Sequence, residues 1–498
     1  MASELYTSYE KELRKISDLR YSSALLQWDQ ETYMPTKGAG FRGQQLATLS
    51  ELSHEFFTND KTGDLLKKLL DDQSLTPQQR RNVELSLYDY NKAKKLSPAF
   101  VRELTEIINQ SFHSWIEARK LNSFKHFEND LAKLVELKKQ EAHFLGFEVH
   151  PYNALLNDYE RGATVELLDN VFNSVREPLR ELLQKIIAQP ETGNSFLQQH
   201  FPKQLQWDHG VKLLKQMGYD LEAGRQDISE HPFTTSFSCQ DVRITTRIDE
   251  EDFSNMTWST IHELGHALYE QGLPATEYGL PLGEACSLSI HESQSRLWEN
   301  QVGRSYIFWK YNYPALQQLF PTQLGNVSLD QFYAGINKVK PSFIRTEADE
   351  VTYHFHVMIR YELEKKIIEG SLSVKDIPGY WNNQYEAYMG IRPPSDLKGC
   401  IQDVHWSHGS FGYFPTYSLG SFYAAQFFEQ SVKDVPSIPS DIESGQYQSL
   451  LNWLREKIHV HGRFYTSEEL CEHVCGKPLD ISHFMRYLLD KYKNIYHF

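Results

Sequence analysis

A mainly helical fold with one small sheet is what the 498-residue chain predicts, and three stretches carry the expectation. The first 200 residues are rich in Lys, Glu, Leu and Gln, and apolar residues recur three and four apart in segments such as "ELRKISDLRYSSALLQW" and "DLAKLVELKKQEAHFL". That period marks long amphipathic helices. The persuasive strand region is "FTTSFSCQDVRITTRID", Phe233 to Asp249, where Thr, Ser, Val and Ile dominate and alternation approaches a period of two. Directly after it, "STIHELGHALYEQGLP" returns to helical spacing, so a small sheet is expected beside that helix.

A chain of this length exceeds one simple core, and two lobes sharing a cleft are expected: residues 1–200 as a helical lobe and 201–498 as a second lobe holding the HELGH segment, with a soft boundary. No repeat of fixed period and no low-complexity linker interrupts it, so the lobes are expected to pack as one unit. The net charge of -15, from 51 basic against 66 acidic residues, argues against a general nucleic-acid partner. No run of about 18 apolar residues exists and the N-terminal "MASELYTSYEKELRKISDLRY" lacks an apolar signal core, so no membrane is expected and the cytoplasm is the expected compartment. Five cysteines fit a reducing environment, and "CEHVC", which resembles a metal or redox pair, does not have the C-x-x-C spacing, so a structural role is expected for it.

The chemistry-bearing motif is His262-Glu263-x-x-His266. Chance alone places such a motif in roughly one sequence of this kind in twenty, so its context decides. Ser254 reads as a helix cap, Ile261, Leu264 and Leu268 recur at helical spacing, and Gly272 with Pro274 reads as a stop. Inside a helix, residues i and i+4 share a face one turn apart, so both imidazoles can converge on one ion at about 2 Å. Glu263 is rotated round by one residue and is better placed to take a proton from water than to ligate. A catalytic zinc needs a third protein ligand. The next helical stretch, between Pro281 and Gly303, offers Glu284, Glu292 and Glu299, and spacing does not choose among them. Glu299 reads as a surface carboxylate, and Glu284 as a first-turn residue favoured by the helix dipole.

With "HELGH" stand "IHESQSRLWEN", "HPF", "DVRIT", "IRTEADE" and "GCIQDVHWSHGSFGYFPTY", and "LLQWDQETYMPTKGAGFR" lies near the N-terminus. In this order the motifs resemble the carboxypeptidase Taq family of metallocarboxypeptidases across nearly the whole chain. The resemblance implies Glu292 of "HES", 26 residues beyond His266, as the third zinc ligand. It also implies a two-lobed, helical metallopeptidase with a deep groove, broad specificity for C-terminal residues of peptides, one zinc per chain and a homodimer. Cobalt or manganese would suit the same donors.

Exopeptidase action requires a reader of the substrate's free carboxylate, for which the planar fork of arginine is suited. Arg243 of "DVRIT" and Arg345 of "IRTEADE" are the candidates, with Arg345 slightly favoured. Each also has carboxylates close in sequence, Asp241 for the one and Glu347 and Asp349 for the other, so a structural ion pair is the competing role. The developing oxyanion can be met by a hydroxyl or an imidazole, and Tyr413, Tyr417, His405 and His408 are candidates; the segment is similar to the glycine-tyrosine loop of helical oligopeptidases related to neurolysin, which favours the tyrosines. His231 of "HPF" lies ahead of the strand region and is a weaker substrate-binding candidate. That strand suits pairing with a substrate backbone. In "QWDQETYMP" Trp28 reads as core and Asp29 as a cap or backbone partner, without evident chemistry; His54 has no second histidine four residues on. The competing functions are an endo-acting oligopeptidase with the same centre and a catalytically silent zinc-binding scaffold. A retained Glu263 argues against the scaffold, because structural zinc needs no adjacent base.

Overall fold

The computed structural model describes residues 4–498. It is mainly helical with one three-stranded sheet, and no helix among the described residues is long and apolar enough to cross a membrane. The chain groups into two compact units of three segments each: Met1–Ala93, Gly193–Ile336 and Tyr423–Leu479 in one, Lys94–Thr192, Asn337–Phe422 and Asp480–Phe498 in the other.

The first unit begins with α1 (Glu4–Thr32) and α2 (Ala39–Thr58). Tyr6, Tyr9, Leu13 and Ile16 lie three or four residues apart, so one stripe of α1 closes over Phe57, Leu66, Leu69, Val83 and Tyr90. The buried Tyr9 hydroxyl is satisfied by Ser86 Oγ at 2.8 Å.

The sheet runs β1 (Gly224–Ile228), β2 (Thr234–Ser238) and β3 (Asp241–Thr246) in the spatial order β1-β3-β2, with β3 parallel to β1 and antiparallel to β2. The alternating segment of the sequence thus supplies β2 and β3; β1, whose "GRQDI" carries no β-branched run, was not legible. Val242 and Ile244 are fully buried and pair with Ser236 and Thr234, so these four side chains share one face. Against that face packs α3 (Phe253–Gly272), the helix of the HELGH motif. Its cap is Asp252, which accepts from Ser254 N, not Ser254 itself. On the opposite face Arg225 and Arg243, direct partners across β1 and β3, both bring their guanidiniums against the indole of Trp28, at 5.5 and 4.4 Å.

The expected second helix of the site divides in two. Pro281–Gly283 is a 3-10 turn, α4 (Leu288–Arg296) begins at a Ser287 cap, and Leu297–Gly303 continues as a π-helix.

The second unit centres on α5 (Tyr353–Glu369), buried at every residue from Tyr353 to Tyr361. Its polar side chains His354, His356, Arg360 and Glu364 are therefore interior groups that need partners. Helices Pro98–Leu121, Lys125–Leu145, Val165–Ile187, Ile377–Met389 and Ser482–Tyr496 belong to the same unit.

Candidate metal centre and peptide-binding residues

His262 and His266 stand one turn apart on α3, and Glu292 on α4 faces them. The Nε2 atoms of His262 and His266 lie 3.7 and 3.5 Å from Glu292 Oε2, and one ligand atom from each residue falls within 4.8 Å of the others. Two ligands bonded at about 2.1 Å in tetrahedral geometry are separated by about 3.4 Å, close to both histidine-to-Glu292 separations, so the donor set is of the size a zinc-like ion needs. The two-nitrogen, one-carboxylate chemistry fits such an ion equally well.

The close approach of α3 and α4 depends on Gly265, inside the HELGH motif. A Cβ there would stand 2.5 Å from Ser295 Cα and 2.6 Å from Gln294 O, both backbone atoms. The absence of a side chain lets the helices cross backbone to backbone and brings Glu292 onto the histidines. A glycine in mid-helix was the sequence signal for this contact.

Glu299 is not the surface carboxylate its sequence position suggested. It is buried, and its Oε2 lies 2.9 Å from His262 Nδ1. Arg296 bridges the two glutamates, with Nε 2.7 Å from Glu292 Oε1 and Nη1 3.2 Å from Glu299 Oε2; Arg304 adds Nη2 at 3.2 Å from Glu299 Oε1. Burial works to raise both carboxyls, but Arg296 and the histidines together, with Arg304 added for Glu299, outweigh it and hold Glu292 and Glu299 well below the usual carboxylate range. Seven residues after Glu292, about two turns on, Glu299 returns to the same side of the helix. Glu284 lies before α4 rather than in its first turn; it is exposed and pairs with Arg463 at 2.9 Å.

Glu263 is 8% exposed, and its Oε2 accepts from Thr234 Oγ1 at 2.6 Å. His266 Nδ1 lies 2.5 Å from His291 Nδ1, whose Nε2 reaches Glu270 Oε1 at 2.8 Å. Ser236 Oγ donates to the other oxygen of Glu270 at 2.7 Å.

The chain matches the model of the carboxypeptidase Taq (M32) metallopeptidases over residues 8–492. It belongs to that family. Carboxypeptidase 1 of Bacillus subtilis is 39% identical over 505 residues, covering 99% of each chain. The M32 carboxypeptidase of Deinococcus radiodurans R1 superposes with a TM-score of 0.98 at 37% identity over 100% of both chains. The protein described as "The Structure of CHT" gives 0.97 at 59% identity, covering 98% of this chain and 99% of its own. The chain is therefore a metallocarboxypeptidase, a peptide hydrolase, with a divalent metal as part of its chemistry.

The remaining candidates of this M32 chain separate by environment. Arg345 is 6% exposed; its Nε reaches Asp403 Oδ1 at 3.0 Å, its Nη1 reaches Tyr353 Oη at 3.1 Å, and its guanidinium lies 4.8 Å over Tyr417. Its Nη2 is engaged by no described residue. Arg360, fully buried, donates to Asp403 Oδ2 through both Nε and Nη2, at 2.7 and 2.5 Å. Two guanidiniums thus share one carboxylate, and an uncompensated positive charge of this kind suits an incoming anion. Burial and the adjacent Arg345 push His405 down to about 3, so its imidazole is neutral at pH 7. Its Nε2 lies 3.1 Å from Tyr417 Oη, and Tyr413 packs on the same ring at 5.3 Å.

Glu364 holds this loop in place. It accepts from Tyr152 Oη, from Trp406 Nε1 at 2.7 Å and from Gly412 N at 2.8 Å, and burial pushes its carboxyl up to about 7. His408, by contrast, is exposed and packs on Phe112 at 4.9 Å. His231 is exposed, and its carbonyl accepts from Ser229 Oγ at 2.6 Å.

Arg243 sits on the face of β3 away from α3. Its Nε and Nη2 bind Asp241 at 2.8 and 2.9 Å, and it stacks on Trp28 and Phe237. Residues that the sequence reading passed over, namely Thr234, Glu270, His291, Arg296, Arg360 and Asp403, share one property: each hydrogen-bonds a polar partner distant in sequence or held inside the fold, which spacing does not reveal.

Proposed function

We propose that the chain is a zinc-dependent carboxypeptidase that releases single amino acids from the C-terminus of peptides with broad specificity. The observation that carries this reading is the separation of 3.5 and 3.7 Å between Glu292 Oε2 and the two histidine Nε2 atoms, with Glu263 beside them on the same helix. His262, His266 and Glu292 would hold the divalent ion, which when bound would supply Lewis acidity and make a water more acidic. Glu263 would take a proton from the attacking water and later give it to the leaving amine, so one carboxylate would be base and then acid. Arg345 reads the terminal carboxylate through its unengaged Nη2, which favours an exopeptidase over an endo-acting oligopeptidase. Tyr413, Tyr417 and neutral His405 are the hydrogen-bonding groups for the oxyanion; the exposed His408 and His231 and the Asp241-bound Arg243 carry less support.

The same reading makes the enzyme cytoplasmic, in keeping with its five free cysteines, and a homodimer, on the family resemblance alone. Metal titration with Glu263→Gln tests it. Binding of one zinc per chain, with kcat lowered roughly 10²–10⁴-fold in that variant, is expected. Full activity in Glu263→Gln would overturn the assignment.

A further inference from the structure

The edge strand β2 meets the metal centre at two points. Thr234 and Ser236 lie on the face turned to α3, and each hydroxyl ends on a glutamate of that helix: Thr234 on Glu263, Ser236 on Glu270. Glu263 and Glu270 are seven residues apart, two turns along one face of α3.

The proton positions follow from the donors. The Thr234 hydroxyl has one hydrogen and two acceptors, Glu263 Oε2 at 2.6 Å and Glu263 O at 3.0 Å; the nearer, charged oxygen takes it. A β-branched side chain in a strand has few χ1 states, so the backbone of β2 fixes that hydroxyl in space. The strand itself is fixed by pairing with the fully buried Ile244 and Val242. At the second point, His266 and His291 face each other Nδ1 to Nδ1, so one must donate. His266 turns its Nε2 toward Glu292 and carries its proton on Nδ1; His291 accepts there and donates from Nε2 to Glu270. Glu270 accepts on both oxygens, the second from Ser236. Hydroxyl, carboxylate and imidazole form one directed chain ending on a metal-ligand candidate.

We propose that Thr234 and Ser236 are positioning residues: Thr234 sets the orientation of Glu263, and Ser236, through Glu270 and His291, sets the ring of His266. The inference rests on the zinc-centred reading above and adds the strand as the element that holds both its base and one of its ligands. The alternative is that the hydroxyls only satisfy buried carboxylates.

The test uses Thr234→Val, Thr234→Ser and Ser236→Ala in the full chain. It measures kcat and KM on a free-acid peptide, the zinc dissociation constant by chelator competition, and the thermal midpoint. Thr234→Val is expected to lower kcat about 10–100-fold with KM and zinc affinity little changed, and Thr234→Ser to restore most of it. Ser236→Ala is expected to weaken zinc binding about 10-fold. If Thr234→Val folds poorly, Thr234→Ala carries the same expectation. Unchanged kcat in Thr234→Val or its alanine counterpart, or unchanged zinc affinity in Ser236→Ala, would overturn the proposal. Glu263→Gln, measured alongside, separates the two readings: if it stays active the zinc mechanism itself has failed, whereas its loss beside a fully active Thr234→Val removes only the positioning role.

Discussion

Glu299 Oε2 stands 2.9 Å from Nδ1 of His262, which leaves the Nε2 of that ring as the nitrogen turned toward Glu292. A buried carboxylate on the far nitrogen fixes tautomer and ring orientation and makes the imidazole a stronger donor. Glu299→Gln keeps the shape but removes the charge. Zinc affinity is expected to fall about 10–100-fold, read by chelator competition at fixed pH. Unchanged affinity would mean that Glu299 serves only Arg296 and Arg304.

Gly265 makes a second expectation. In Gly265→Ala the new methyl meets Ser295 Cα and Gln294 O, neither of which is a flexible side-chain end, so α3 and α4 must part. A cost of about 1–3 kcal/mol is expected, with a lowered thermal midpoint and weakened zinc binding together. Calorimetry of the metal-free and metal-loaded variant checks both.

The two arginines should behave differently. Arg345→Lys keeps a charge near Asp403 but loses the planar fork, and kcat/KM on free-acid peptides is expected to fall roughly 10–100-fold, the range for one or two charge-assisted hydrogen bonds. Arg243→Ala breaks the Asp241 pair and uncovers Trp28, so its main effect is expected in the thermal midpoint. A larger kinetic loss in Arg243→Ala than in Arg345→Lys would reverse the assignment of the carboxylate reader.

Acid stability follows from buried imidazoles. Burial pushes His209 down to about 4 and, with Arg345 adding to it, His405 down to about 3. Both rings stay neutral in the fold while the unfolded chain takes up their protons below about 6.5. The unfolded state therefore binds more protons between about 6.5 and 3, and stability is lost as pH falls through that window. Glu364, pushed up to about 7, acts with the opposite sign: the folded carboxyl keeps its proton where the unfolded one releases it above about 4.3. The thermal midpoint is expected to drop between pH 6.5 and 4, and to drop less in His209→Gln. An identical pH slope in that variant would contradict the neutral, buried state of His209.

Much of this site could be read from residue order. Helical spacing around His262 and His266, the alternation of Phe233–Asp249 and the position of Glu292 in "HES" all lie in local patterns or in the family resemblance. Glu299 reads as exposed because a carboxylate near a helix end carries no local mark of burial; its inward place shows only in its contacts with His262, Arg296 and Arg304. Asp403 and Arg360 meet across 43 residues, and Thr234 meets Glu263 across 29. Such pairs leave no periodic trace, since what selects them is the need to satisfy a buried polar group after the chain has folded. The assembly of each unit from three separate segments is likewise invisible to spacing.

The most direct test of the central claim incubates the zinc-loaded protein with a peptide and its C-terminally amidated twin, with and without chelator, and reads the products by mass. Stepwise loss of single residues from the free-acid peptide alone, abolished by chelator and restored by zinc, is the result the account predicts. Internal cleavage of both peptides, or cleavage indifferent to chelator, would contradict it.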